Sequence, residues 1–386
     1  MTGDSGGLRQ AGTGAADGES TKGRSGPSRR AVLGAVALVA ALGAAGALLL
    51  LDPGSGDPDR ARDGAAELVA GGALTGLPGT LPDGAPYTPV YFLDAQRSVG
   101  TAPTPDEAAV RLLLLNAGQQ RVLATVPRER APEFAGFTTD GTTLAWLELT
   151  SDSDGAAHTR VMAAAVAAGA ARELTADTGN VVLFDKQGDL SLHDGQLSWI
   201  SDIGKPDVSA VFTMPLAGGK PQHREVPGAW SISAWPWLVS EDTADGTPVR
   251  LRDLVGGAET TVAARSGEML SCSPAWCRSS TIGSDDATTT IELRRPDGTG
   301  AVRTAAGSVA AAVTDIAMLD RYEVYSRAAS DYSATELLLY DLKTAKLSRV
   351  APVANQVVAR DGILWWSTGD NETLAWHVLD LRALAL

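Results

Sequence analysis

An all-β, seven-bladed β-propeller behind a single transmembrane helix is the architecture that this 386-residue sequence predicts. Three observations predict it. An uncharged run of 21 residues, Ala31 to Leu51, lies near the start. Beyond Tyr87 the chain becomes short apolar alternations broken by Gly, Asp and Pro, with no long amphipathic stretch. Within that region a turn-then-strand phrase recurs at the spacing of propeller blades.

Residues 1–30 are Gly, Ser, Thr and charge, too poor in apolar surface to offset the entropy of ordering, and are expected to be a disordered cytoplasmic tail. Residues 31–51 follow, about 31 Å long as a helix at roughly 1.5 Å per residue, enough to cross a hydrocarbon core. Arg24, Arg29 and Arg30 precede the run and Asp52, Asp57 and Asp59 follow it. The positive-inside bias then places the tail in the cytoplasm and everything after Leu51 outside the bacterial cell membrane. The alternative is a secretory signal, because Ser28-Arg29-Arg30-Ala31-Val32-Leu33 resembles the twin-arginine export motif. Its only small-residue cleavage pattern, Ala45-Gly46-Ala47, would leave four leucines at the new N-terminus, which favours a retained anchor. Both routes export the remainder. Residues 52–73 are a Pro/Gly/charge linker, with a turn of helix expected at Ala65 to Ala70.

Residues 74–386 form the propeller. The phrase is a turn, often Asp-Gly, then a strand with an aromatic or apolar centre that ends in Ser. It occurs as TDGTTLAWLEL (139–149), HDGQLSWIS (193–201), AWPWLVS (234–240), SPAWCRS (273–279), LDRYEVYS (319–326) and RDGILWWS (360–367). PVYFLDA (89–95) is a weaker first copy. Ser201, Ser240, Ser279, Ser326 and Ser367 stand 39, 39, 47 and 41 residues apart. Each phrase leads through a polar loop to a second alternating run, and in the first six copies to a third, such as RVLATV, QHREVP and LSRVAP. One such sheet cannot cover its own apolar faces, so the units must stack around a ring. The last copy runs to Leu386 without a third run, so the segment near Leu74 to Tyr87 is expected to close the ring against the final sheet. Counting copies gives seven blades; six is the alternative if the first and last copies share one.

The phrase resembles the S-P-D-G-x-x-I-A-F-x-S signature of TolB-type propeller repeats. Asp140-Gly141, Asp194-Gly195 and Asp361-Gly362 match its turn, and Ser273-Pro274 matches its opening. The resemblance implies a six-bladed propeller fold and no particular activity.

A net charge of -14 argues against nucleic acid, which needs a clustered basic face. The Ala and Arg bias is that of a GC-rich bacterial genome. The loops after the phrase strands are acidic, and Asp154, Asp202, Asp242, Asp285, Asp331 and Asp370 are the candidate binding rim for a cation or a basic partner. Such loops also use Asp because it bonds its own backbone. Asp152-Ser153-Asp154-Gly155 has the look of a calcium loop but lacks the downstream Glu, so calcium is the one cofactor considered and no metal site is assigned.

No catalytic residue is assigned. His158, His193, His223 and His377 are scattered, and nucleophile-elbow, zincin and phosphate-loop motifs are missing from the sequence. The reading is therefore an envelope binding or scaffolding module whose partners are the membrane, through residues 31–51, and an envelope protein or small ligand. Its rival is a propeller enzyme acting on a sugar, lactone or lipid-linked substrate. That rival requires polar side chains of shifted acidity converging on the axis, and a plugged channel counts against it. Trp365 and Trp366 are adjacent on one strand, so one of them is expected to be exposed or wedged at a blade edge. Cys272 and Cys277, the only cysteines, lack the C-x-x-C spacing of redox enzymes and have no further zinc ligand nearby. Outside the membrane they are expected to form a disulfide that replaces the Asp-Gly turn of one blade.

Overall fold

The computed structural model describes residues 65–68, 73–241, 246–284, 288–328, 334–370 and 372–384. The segments 1–30 and 31–51, on which the expected cytoplasmic tail and membrane span fall, lie outside them. Among the described residues no helix is long and apolar enough to cross a membrane.

Seven antiparallel sheets follow one another along the chain. Blade 2 is typical, with Glu133–Thr139 innermost, then Thr143–Ser151, Ala157–Ala165 and Arg172–Thr175. The phrase is the second strand of its blade, preceded by a turn from the innermost one. This corrects the first copy: Thr88–Phe92, in PVYFLDA, is the innermost strand of blade 1, and the phrase strand is the next, Arg97–Pro103. The copy was hard to see because Gly100 stands mid-strand, where other blades carry large residues. A Cβ at Gly100 would lie 2.4 Å from the Tyr87 ring.

Each gap between blades is filled from both sides, and this closes the ring. Trp146 of blade 2 packs with Tyr91 and Leu112 of blade 1, and Trp199 of blade 3 with Leu147 and Val161 of blade 2. Trp230 of blade 4 meets Val211 of blade 3. Tyr325 of blade 6 meets Ile291 of blade 5. Trp365 and Trp366 correct the expectation that one is exposed or wedged at a blade edge, since they are 1% and 2% exposed and both lie in cores between blades. They point to opposite faces of blade 7, and a propeller blade has a neighbour on each face. Trp365 packs with Phe92 of blade 1, its ring 5.1 Å away, and Trp366 with Val324 and Leu339 of blade 6.

The closure is as the sequence predicts. Leu74–Pro78 adds to Ala375–Asp380 as the outermost strand of blade 7, pairing Leu74 with Leu379 and Pro78 with Ala375. The Trp376 indole N–H donates to the Tyr87 carbonyl at 2.9 Å. Before that strand, Ala66–Glu67 pairs in parallel with Lys346–Ala351 at the outer edge of blade 6, in place of the helical turn expected there.

Cys272 ends the innermost strand of blade 5 (Glu268–Cys272), and Cys277 begins the second (Cys277–Ile282). They are direct cross-strand partners joined by a disulfide. Both sulfurs sit in the core between blades 4 and 5 with Val239 and Leu251. A six-residue loop contributes about 2 kcal/mol in the loop-entropy account. The double replacement Cys272→Ser, Cys277→Ser is expected to lose about that much in urea unfolding. In the wild-type chain a thiol reagent should label neither cysteine until reductant and denaturant are both present; labelling of the folded, unreduced chain would refute the bond.

Candidate functional site

The innermost strands line the channel, and in blade 3 that strand is interrupted. It starts at Asn180–Val181, paired with Ser201 and Asp202, and resumes at Ser191–His193, paired with Ser198 to Gln196. Between the two pieces the chain leaves its sheet and crosses the channel, with a short 3-10 turn at Gln187–Asp189. Gly188 permits the approach. A Cβ there would stand 2.0 Å from the Ile232 carbonyl oxygen of blade 4.

Polar contacts pin the crossover to three other blades. Lys186 Nζ donates to Glu241 of blade 4, which also accepts from Ser231. Thr314 Oγ1 of blade 6 donates to the Asp185 carbonyl at 3.2 Å. Arg360 of blade 7 donates to the same carbonyl at 3.0 Å and to Asp185 Oδ1 at 2.8 Å. The Gln187 side chain donates to Asp361, and the Asp361 N–H returns a bond to Gln187 Oε1 at 3.3 Å. Asp361 accepts a further bond, 2.5 Å, from Tyr91 Oη of blade 1. Burial, then the charge of Asp361, pushes the Tyr91 phenol well above its ordinary range, so it remains a donor. Asp185 is 95% exposed, so its charge pair with Arg360 contributes little and the carbonyl bonds do the positioning.

Asp189 organises the crossover from within. It is 7% exposed and accepts the N–H of Phe184 at 3.0 Å and of Lys186 at 3.2 Å. Burial outweighs those donors and raises its carboxyl from 3.8 to about 6. Below pH ~4 the folded and unfolded states both hold the proton, and burial carries no charge penalty. As pH rises from about 4 to about 6 the unfolded chain releases it first, so stability falls, by about 3 kcal/mol for roughly two pKa units. Asp189→Asn should flatten this part of the profile. Urea midpoints at pH 4 and pH 7 measure it, and an unchanged wild-type slope in the variant would refute the assignment.

The crossover bounds a cavity of about 1060 Å³. Thr139, His193, Trp235, Pro274, Leu319 and Asp361 line it, and each stands in or beside the turn between the first and second strands of its blade. Glu241, Thr247 and Val249, at the other end of blade 4, line it as well. The chain reverses at each strand, so the loops after the phrase strands lie at the opposite ends of the sheets. Asp154, Asp202 and Asp370 belong to those loops, and none lines the cavity. Asp202 Oδ1 accepts from the Gly204 N–H at 2.8 Å, and Asp370 Oδ1 from those of Glu372 and Thr373, each at 3.0 Å. Asp242, Asp285 and Asp331 lie outside the described residues. In the calcium-like loop, Asp152 Oδ1 accepts from the N–H groups of Asp154 and Ala156. Among the described residues no cluster of three or more metal-ligating side chains occurs.

Sequence reading missed both the crossover and the blade 6 loop that carries Asp315. The available signal was length. Residues 176–195 are the longest stretch between an outer strand and the next phrase strand, and the 47-residue interval ending at Ser326 contains the long first turn of blade 6.

No protein-family model and no curated sequence matches the chain. Solved structures match it as folds. A puromycin-hydrolysing peptidase of Mycobacterium tuberculosis is 15% identical with a TM-score of 0.50, over 79% of this chain and 54% of that one, so this chain spans about half its length. An uncharacterised protein of Listeria monocytogenes is 12% identical with a TM-score of 0.49, over 77% and 92%. TolB of Acinetobacter baumannii is 8% identical with a TM-score of 0.39, over 66% and 63%. The likeness to the peptidase bears on the fold alone.

Proposed function

We propose that this chain is a binding module held at the outer face of a bacterial cell membrane by residues 31–51, with a small ligand or the tip of an envelope protein entering the channel cavity. One observation carries the reading. The axis is bridged by a segment bonded to blades 4, 6 and 7, and beside it lies a cavity of about 1060 Å³ walled by both polar and apolar side chains. Preformed concave sites of this kind suit recognition, because little ordering entropy remains to be lost on binding. The apolar run and its flanking charges support the anchor, and the phrase supports a TolB-like ancestry of the repeats. Asp315 and Asp361, both on the cavity wall, favour a channel enzyme as the second reading.

Fractionation tests the placement. The full chain should stay in the membrane pellet after a high-salt wash and be cleaved by protease added to intact protoplasts. Recovery in the soluble fraction, or protection from the protease, would overturn it.

A further inference from the structure

Three cations and three carboxylates stand on the cavity wall, Lys186, Arg278 and Arg382 against Glu241, Asp315 and Asp361. Each is already answered within the protein. Lys186 is paired with Glu241, Arg278 with Glu323 and Arg382 with Asp380. Asp361 accepts from Tyr91 and Gln187, and Asp315 lies in the field of Arg360 and Arg278 with its Oδ2 shielded from solvent. His193 is paired with the adjacent Asp194 at 2.9 Å. Among the described residues the wall therefore has no uncommitted charge to offer, and what it has to spare is neutral. The innermost strands of blades 2 to 5 each bring one such group. Thr138 lies in Glu133–Thr139, Ser191 in Ser191–His193, Ser233 in Trp230–Ala234 and Ser271 in Glu268–Cys272, and all four line the cavity. Ser271 is exposed and the others are half-buried. None of the four hydroxyls is hydrogen-bonded to another of the described residues.

We infer that the channel takes an uncharged, polyhydroxylated ligand, a neutral saccharide, held by the hydroxyls of Thr138, Ser191, Ser233 and Ser271 and stacked on Trp235. The inference rests on reading the channel as a binding site and names its class of ligand. A hydroxyl both donates and accepts, so a row of them matches sugar hydroxyls whichever way each bond runs. Such bonds also discriminate, because an analogue lacking the hydroxyl leaves its partner unpaired. Trp235 supplies the other half of the match. It is half-buried in the turn between the first and second strands of blade 4, packs against the core between blades 3 and 4, and lines the cavity. An aromatic body with a polar edge suits the C–H face of a pyranose ring beside its hydroxyls. At about 1060 Å³ the cavity stands at the upper end of ligand pockets, which suits an oligosaccharide better than a single ring.

The test is a glycan array carrying neutral, amino-sugar, uronic-acid and sulfated glycans side by side, probed with the full chain in a sugar-free detergent. Binding should fall on the neutral glycans. The strongest of them, titrated by calorimetry, should bind the double variant Ser191→Ala, Ser271→Ala about tenfold or more weakly than the wild-type chain, the effect of losing two neutral hydrogen bonds. The urea midpoint of that variant should not move, because neither hydroxyl bonds the described residues, so that lost binding is not lost folding. A preference for the charged glycans would overturn the neutral assignment, and undiminished binding by the double variant would remove the hydroxyl wall from the site. Binding of no glycan would overturn the saccharide, while a photo-adduct from a crosslinking residue at Met269 in native membranes would still leave the channel a binding site. Failure of both would overturn both.

Discussion

Arg278→Ala is expected to lose about 3–5 kcal/mol of stability at neutral pH, the range for removing one partner of a buried ion pair. Its guanidinium is 9% exposed and Glu323 is fully buried. Glu323 would keep only the Ala317 N–H at its Oε1, and Val313, Thr314 and Asp315 would lose the donor that holds their carbonyls in place. The loss should depend on pH. Burial already raises the Glu323 carboxyl, and without Arg278 it rises further. The variant is then least impaired in acid, where Glu323 holds a proton in both the folded and the unfolded states. Its deficit grows as pH climbs through the carboxylate range. Urea unfolding at pH 4 and pH 7 reads both effects, and a deficit under about 1 kcal/mol at pH 7 would contradict the pairing.

Gly188→Val should be the second large effect, about 3 kcal/mol or more, at the top of the range for overpacking. The obstacle is main chain: a Cβ at 188 would lie 2.0 Å from the Ile232 oxygen and 2.7 Å from its carbonyl carbon. Neither can rotate away, so either the crossover lifts or the inner strand of blade 4 moves. Lifting it separates Gln187 from Asp361 and Lys186 from Glu241, and the cavity wall they form is lost. Hydrogen exchange at Phe184 and Lys186, whose N–H groups Asp189 accepts, should accelerate more than exchange in the outer strands. A uniform change across the ring would mean that the crossover had not moved alone.

The ring was legible in the sequence because its cause is periodic. A blade needs large apolar side chains near the middle of its second strand, and Trp146, Trp199, Tyr325 and Trp365 mark four blades in that way. The closing strand was legible because the last copy lacked an outer run. The packing of Trp365 and Trp366 was misjudged by treating a blade as a sheet with one wet face, whereas a neighbouring blade covers each face. The site was illegible for a different reason. Asp185, Gln187, Asp315 and Asp361 come from blades 3, 6 and 7, and no local pattern joins residues that meet only across an axis. Unequal interval length was the surviving trace. Of the acidic loop residues, Asp154, Asp202 and Asp370 do not line the cavity, whereas Glu241 does.

A photo-crosslinking residue at Met269, 52% exposed and on the cavity wall, tests the binding account most directly when compared with the same residue at Val122. Val122 is 48% exposed on the outer strand of blade 1. In native membranes carrying the full chain, irradiation should give a defined adduct at position 269 and none at 122. No adduct at 269, or equal adducts at both positions, would contradict the assignment of the channel as the binding site.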